Sequence, residues 1–105
     1  MFGIFKSLFG GMDNSQITEA IKNGATLIDV RTQGEFSRGS VKGAVNIPLG
    51  KLSGQLVKLK TDKTIIVFCA SGIRSGQAKS ILTQNGFENV INGGGWKNVG
   101  KLISG

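Results

Sequence analysis

Histidine is absent from the 105-residue chain, and cysteine and proline occur once each. Without histidine the commonest general base and the commonest metal ligand are both missing, so a cysteine–histidine catalytic pair is excluded. One thiol and no imidazole do not make a zinc site, and neither a metal nor an organic cofactor is expected. The lone cysteine excludes an intramolecular disulfide. With no convincing secretory pattern, the expected compartment is a reducing cytoplasm. Acidic side chains are scarce: six stand against thirteen lysines and arginines, a net charge of +7. The excess is concentrated in residues 51–105, where eight bases meet two acids, whereas residues 1–50 hold five against four. Such a field steers small anions, acidic proteins or nucleic acid. No aromatic residues interleave with Lys58, Lys60 and Lys63, so these read as a solvated surface, and nucleic acid is not an expected partner.

The one cysteine is placed where chemistry is favoured. An apolar run, Ile65-Ile66-Val67-Phe68, ends directly in Cys69, and Ala70-Ser71-Gly72-Ile73-Arg74-Ser75 leads into a helical pattern. A thiol at a strand exit, followed by a short loop and a helix start, sits where backbone N–H groups converge. That setting favours the thiolate, the reactive form. Free cysteine is often simply a buried hydrophobe. Against that reading stand Gly72 and Gly76, which permit unusual backbone angles or close backbone approach, and Arg74, whose charge is permanent. Together they describe an anion-receiving nest, with Cys69 as the candidate nucleophile.

The chain has the length of one domain with one core and carries no internal repeat. Residues 1–12 form an apolar N-terminal extension in which Phe2, Ile4, Phe5, Leu8 and Phe9 share a helical face. It is too short to span a bilayer; a frayed terminus or one packed on its own domain is expected before a second copy or a membrane surface. Residues 13–105 form the domain. A helix is expected from Asp13 or Ser15 to Asn23-Gly24, a strand over residues 25–30 and a short helix from Thr32 to Arg38 closed by Gly39. A brief strand over 44–47 stops at Pro48. An amphipathic helix follows on Leu52, Leu56 and Leu59, then a central strand over 64–68. The helix after the cysteine loop ends at Gly86, and a last strand at Val90-Ile91 precedes Gly93-Gly94-Gly95-Trp96. The three glycines read as a tight turn and Trp96 as a core or lid residue. Strands alternating with helices predict an α/β fold, a small parallel sheet covered by helices on both faces. In such sheets ligands bind beyond the carboxyl ends of strands at a switch in strand order, and Cys69 occupies an end of that kind.

The ordered motifs resemble those of single-domain rhodanese-family sulfurtransferases. Asp29-Val30-Arg31 with Glu35-Phe36 is similar to the family's first signature, and Gly39 through Pro48 to its second. Cys69 through Ser75 resembles the catalytic loop, and Gly93-Gly94 before Trp96 the C-terminal motif. Ser40 and Lys42 stand where many relatives have histidine and proline, which reads as tuning of the fold. The resemblance implies that Cys69 takes a sulfane sulfur from thiosulfate or polysulfide as a persulfide and passes it to a thiol, a protein cysteine or cyanide. It implies that Ala70, Ser71, Gly72, Ile73 and Arg74 hold the substrate, with Arg74 either bracing the loop or meeting the donor. Asp29, Arg31 and Glu35 are expected to support the site structurally. A monomer or weak homodimer is expected, and a membrane is not. The resemblance also implies that thiosulfate is not the physiological donor, because relatives efficient with it often carry extra basic groups in this loop, where Arg74 is the only ion here. The nearest rival enzymes, cysteine phosphatases and arsenate reductases, resemble this site but use a loop one residue longer. The rival outside enzymology is a rhodanese-like sulfur-carrier or partner-binding module.

Overall fold

β-branched and aromatic residues with no polar interruption make Ile65–Cys69 a strand buried along its whole length. In the computed structural model, which describes residues 14–104, it lies inside a four-stranded sheet. The elements are α1 (Asn14–Lys22), β1 (Thr26–Asp29), α2 (Gln33–Ser37), β2 (Val45–Asn46), a 3-10 helix (Leu49–Lys58), β3 (Ile65–Cys69), α3 (Ile73–Gln84), β4 (Val90–Gly95) and α4 (Trp96–Ser104). The sheet order is β2-β1-β3-β4, and every pairing is parallel. β1 is followed in space by β2 on one side and by β3 on the other. The order therefore reverses between β1 and β3, which end at Asp29 and Cys69. The expectations for residues 1–12, and for Asp13 as a helix cap, lie outside the described residues.

Alternation along the strands separates two cores. Ile28, Ile65, Val67 and Cys69 pack with Leu52, Ala78 and Leu82, from the 3-10 helix and α3. Ile66 and Phe68 point the other way, onto Ile17 and Ala20 of α1 and Val99 of α4. Helices thus cover both faces, as the alternation of elements predicts. Full burial of each large aliphatic side chain contributes roughly 1.5–3 kcal/mol, and Ile17, Ile28, Leu52, Ile66 and Leu82 are all completely enclosed.

One local expectation is refined, one is corrected and one helix is new. The segment with Leu52, Leu56 and Leu59 is a 3-10 helix, closed by bonds such as Lys51 N to Pro48 O and Leu59 N to Leu56 O. Gly50 and Gly54 lower its α-helical propensity, and only Leu52 is fully buried. The glycine run is not a turn. Gly93–Gly95 continue β4, with a bulge that leaves Gly93 unpaired between Asn92, opposite Val67, and Gly94, opposite Phe68. The reason is space: a Cβ on Gly93 would sit 2.9 Å from Val99 Cγ2 and 3.0 Å from Ile66 Cγ2. Finally, α4 was not anticipated; its signal is the spacing of Val99, Leu102 and Ile103, all packed into the second core. Gly93→Ala is therefore expected to lower stability by about 1–3 kcal/mol through overpacking, read as a lower denaturation midpoint. An unchanged midpoint would show that α4 is not held in this close contact.

Candidate active site

β3 delivers Cys69 to the C-terminal edge of the sheet, and the chain then turns within three residues into α3. Gly72 makes that turn possible. Its φ of +107° lies where side chains are strained, and a Cβ there would lie 3.3 Å from the Gly94 backbone. The turn aims the Gly72 N–H at the sulfur, N to Sγ 3.0 Å. Gly76, by contrast, is an ordinary helical residue without a positive φ. A Cβ there would meet the Asn92 amide at 3.5 Å, an ordinary contact. Cys69 itself is 1% exposed, while Ala70 and Ser71 are exposed on the rim.

Two residues not assigned from sequence complete the floor of the site. Ser75 Oγ lies 3.5 Å from Cys69 Sγ and donates to Asn92 Oδ1 at 2.6 Å. Asn92 Oδ1 also accepts from Gly94 N–H at 3.0 Å, and its Nδ2 donates to the Gly72 carbonyl at 3.1 Å. A backbone N–H only donates and a backbone carbonyl only accepts, so these two bonds set the orientation of the amide. Asn92 thereby ties β4 to the cysteine loop through the residue whose N–H meets the sulfur. The available signal was a polar side chain directly after the apolar pair Val90-Ile91, a position that becomes buried in β4.

Arg74 faces outward from the first turn of α3. Its guanidinium is paired end-on with Glu35 of α2, Nη1 to Oε1 2.7 Å and Nη2 to Oε2 3.0 Å. Glu35 is held in turn by a capping box, in which it accepts from Thr32 N–H while Thr32 Oγ1 accepts from Glu35 N–H. The hydrogen bond from Arg74 comes first among the causes that bring Glu35 down to about 2. Of the two roles open to Arg74, the contacts are those of a brace between the loop and α2.

Asp29 and Arg31 form a separate buried knot at the end of β1. Arg31 Nη2 meets Asp29 Oδ2 at 2.7 Å and the Gly39 carbonyl at 2.6 Å. Its Nε lies 3.0 Å from Asp29 Oδ1, and its backbone N–H donates to the same oxygen at 2.9 Å. Ser40 Oγ donates to Asp29 Oδ2 at 2.6 Å, so this serine secures the carboxylate, in keeping with a role in the fold. The Arg31 guanidinium stacks 4.7 Å from the centroid of the half-buried Trp96 ring, and that ring in turn covers Gly39. No atom of this knot touches the sulfur.

The family model described as the rhodanese-like domain matches residues 13–101. The chain belongs to the rhodanese-like family. It is similar to the thiosulfate sulfurtransferase PspE of Escherichia coli, 40% identical over 74 residues, covering 69% of this chain and 71% of that protein. It is similar also to the uncharacterized protein YqhL of Bacillus subtilis, 42% identical over 80 residues, covering 75% of this chain and 64% of the relative. The matched region thus spans about two thirds of each relative's length. A solved structure of a rhodanese with anions from E. coli superimposes with a TM-score of 0.67 at 36% identity, covering 71% of this chain and 91% of that one.

In this rhodanese-like domain, burial pushes the Cys69 thiol up. Hydrogen bonds from the backbone N–H groups of Ser75, Gly72 and Ser71 favour the anion, and the net shift is downward. A thiol lowered on folding stabilises the fold above its unfolded value, and that contribution is lost as pH falls through the folded value. The alkylation rate of Cys69 by iodoacetamide is accordingly expected to inflect at lower pH than that of an unstructured cysteine peptide. Gly72→Ala, which strains the turn that aims the Gly72 N–H at the sulfur, is expected to move the inflection upward. Coincident inflections for the protein and the peptide would mean that the loop does not stabilise the anion.

Proposed function

We propose that this domain transfers a sulfane sulfur from thiosulfate or another persulfide donor to a thiophilic acceptor, through a persulfide on Cys69. The supporting observation is the sulfur at the sheet edge with the Gly72 N–H 3.0 Å away and Ser75 beside it. In the first step the Cys69 thiolate attacks the outer sulfur of the donor. A new S–S bond forms, the donor's own bond to that sulfur breaks, and sulfite leaves when the donor is thiosulfate. In the second step the acceptor takes the outer sulfur and the thiolate returns; with cyanide the product is thiocyanate. Splitting the transfer in this way predicts ping-pong kinetics. The N–H groups of the loop and the N-terminus of α3 stabilise both the thiolate and the persulfide anion. Ala70, Ser71, Gly72 and Ile73 form the wall met by the donor, Arg74 and Glu35 brace it, and Asp29 and Arg31 hold the strand end beneath.

Residues 13–105 are proposed to act as this one domain in the cytoplasm, as a monomer or weak homodimer, with residues 1–12 as an extension. Among the described residues no helix is long and apolar enough to cross a membrane. The deciding experiment is intact mass after incubation with thiosulfate and with a hydropersulfide, followed by cyanide with detection of thiocyanate. A gain of one sulfur, removed again by cyanide, is expected. A chain that gains no sulfur from any of these donors is a partner-binding module instead.

A further inference from the structure

The loop after Cys69 combines a single, paired charge with an exposed apolar side chain. Ile73, the first residue of α3, is 75% exposed, although it stands four positions after the nucleophile. Ala70 and Ser71 beside it are exposed and uncharged. The one ion of the loop, Arg74, turns its guanidinium to Glu35 in two parallel bonds. Scattered exposed hydrophobic residues are ordinary, and Val57 at 94% exposure is one. Ile73 differs in its position, directly after the Gly72 whose N–H meets the sulfur.

We infer that this rim selects a hydropersulfide on an apolar carbon carrier, R–S–SH, over thiosulfate, and that Ile73 is the residue that meets R. The inference rests on the sulfur-transfer reading of Cys69 and goes further, to the class of donor. Attack on thiosulfate brings a singly charged thiolate against a dianion, so three negative charges converge. The products, a Cys69 persulfide anion and sulfite, carry the same total. Like charges at contact repel, and here the Arg74 guanidinium that could offset them is already paired with Glu35. The overall charge of +7 acts at longer range and is screened within about 10 Å. A hydropersulfide carries at most one negative charge, and its neutral form reacts with none. Cys69–S⁻ and R–S–SH then give Cys69–S–SH and R–S⁻: one S–S bond forms, one breaks, and the thiolate leaves on R. An apolar R group loses water against Ile73, whereas a sulfonate would be desolvated there without compensation.

The test measures kcat/KM for thiosulfate, for an uncharged alkyl hydropersulfide and for a peptide with a cysteine persulfide between two leucines. Each value is divided by the rate of that donor with a free model thiol. Either hydropersulfide is expected to exceed thiosulfate by at least about tenfold, and preference for the peptide would identify a protein carrier. Ile73→Arg is expected to raise thiosulfate use about tenfold and to lower use of the apolar donors. Glu35→Gln, which loosens the hold on Arg74, is expected to raise thiosulfate use relative to the apolar donors. Thiosulfate accepted as well as the hydropersulfides, or a ratio unmoved by Ile73→Arg, overturns the inference while leaving sulfur transfer intact. If no donor adds sulfur to Cys69, sulfur transfer and the inference fall together.

Discussion

Exchanging Cys69 for serine is expected to reduce thiocyanate formation to the uncatalysed rate and to abolish the gain of one sulfur seen by intact mass. The fold should survive the change. Serine is close to cysteine in size, and the Gly72 N–H and Ser75 Oγ that now face the sulfur at 3.0 and 3.5 Å remain available to a hydroxyl. Covalent catalysis does not survive, because a serine hydroxyl is not ionised near neutral pH and forms no S–S bond. No second nucleophile of the same kind can take over, since the chain has one cysteine and no histidine. Circular dichroism and the denaturation midpoint separate loss of chemistry from loss of structure. Persistent sulfur uptake by a folded Cys69→Ser protein would place the chemistry elsewhere and sink the proposed mechanism.

The largest effect on stability is expected from Asp29→Ala. The carboxylate is completely buried, Arg31 is 4% exposed, and Ser40 also bonds to the acid. Removing one partner of a buried pair leaves the other charge without compensation and costs about 3–5 kcal/mol. A domain of this size has about 5–15 kcal/mol in total, so the variant should be partly unfolded at modest urea concentrations. Replacing both residues together, Asp29→Leu with Arg31→Met, is expected to be less harmful than Asp29→Ala alone, since no orphan charge remains. The Gly39 carbonyl and the Trp96 ring still lose their Arg31 contacts in that double variant. Urea denaturation of the three proteins decides the matter. A single variant no weaker than the double one would mean that Arg31 finds another partner or water.

How much of this was legible beforehand differs from element to element. β1 and β3 were legible because compact apolar runs between glycine-bearing or charged segments leave few alternatives. The capping of α2 was partly legible from Thr32 and Glu35, three residues apart. The glycine run was misread because its cause lies far away in sequence. Val99 and Ile66 claim the space that a side chain on Gly93 would fill, and no local pattern announces it. Asn92 was missed for the same reason, since its partners Ser75, Gly72 and Gly94 meet only when β4 lies against β3.

By itself, then, the order of residues determined the alternation of strands and helices, the single thiol and its place at a strand exit. These depend on local spacing and on residue chemistry that no neighbour alters. Tertiary structure alone decided that Arg74 faces Glu35, thirty-nine positions away, instead of standing free at the mouth. It also decided that Ser75 meets the sulfur and Asn92 meets Ser75, and that the glycines form a bulged strand. Those outcomes depend on which long-range surfaces meet. The packing that removes side-chain volume at Gly93 and seals Asp29 with Arg31 selects one such meeting among many.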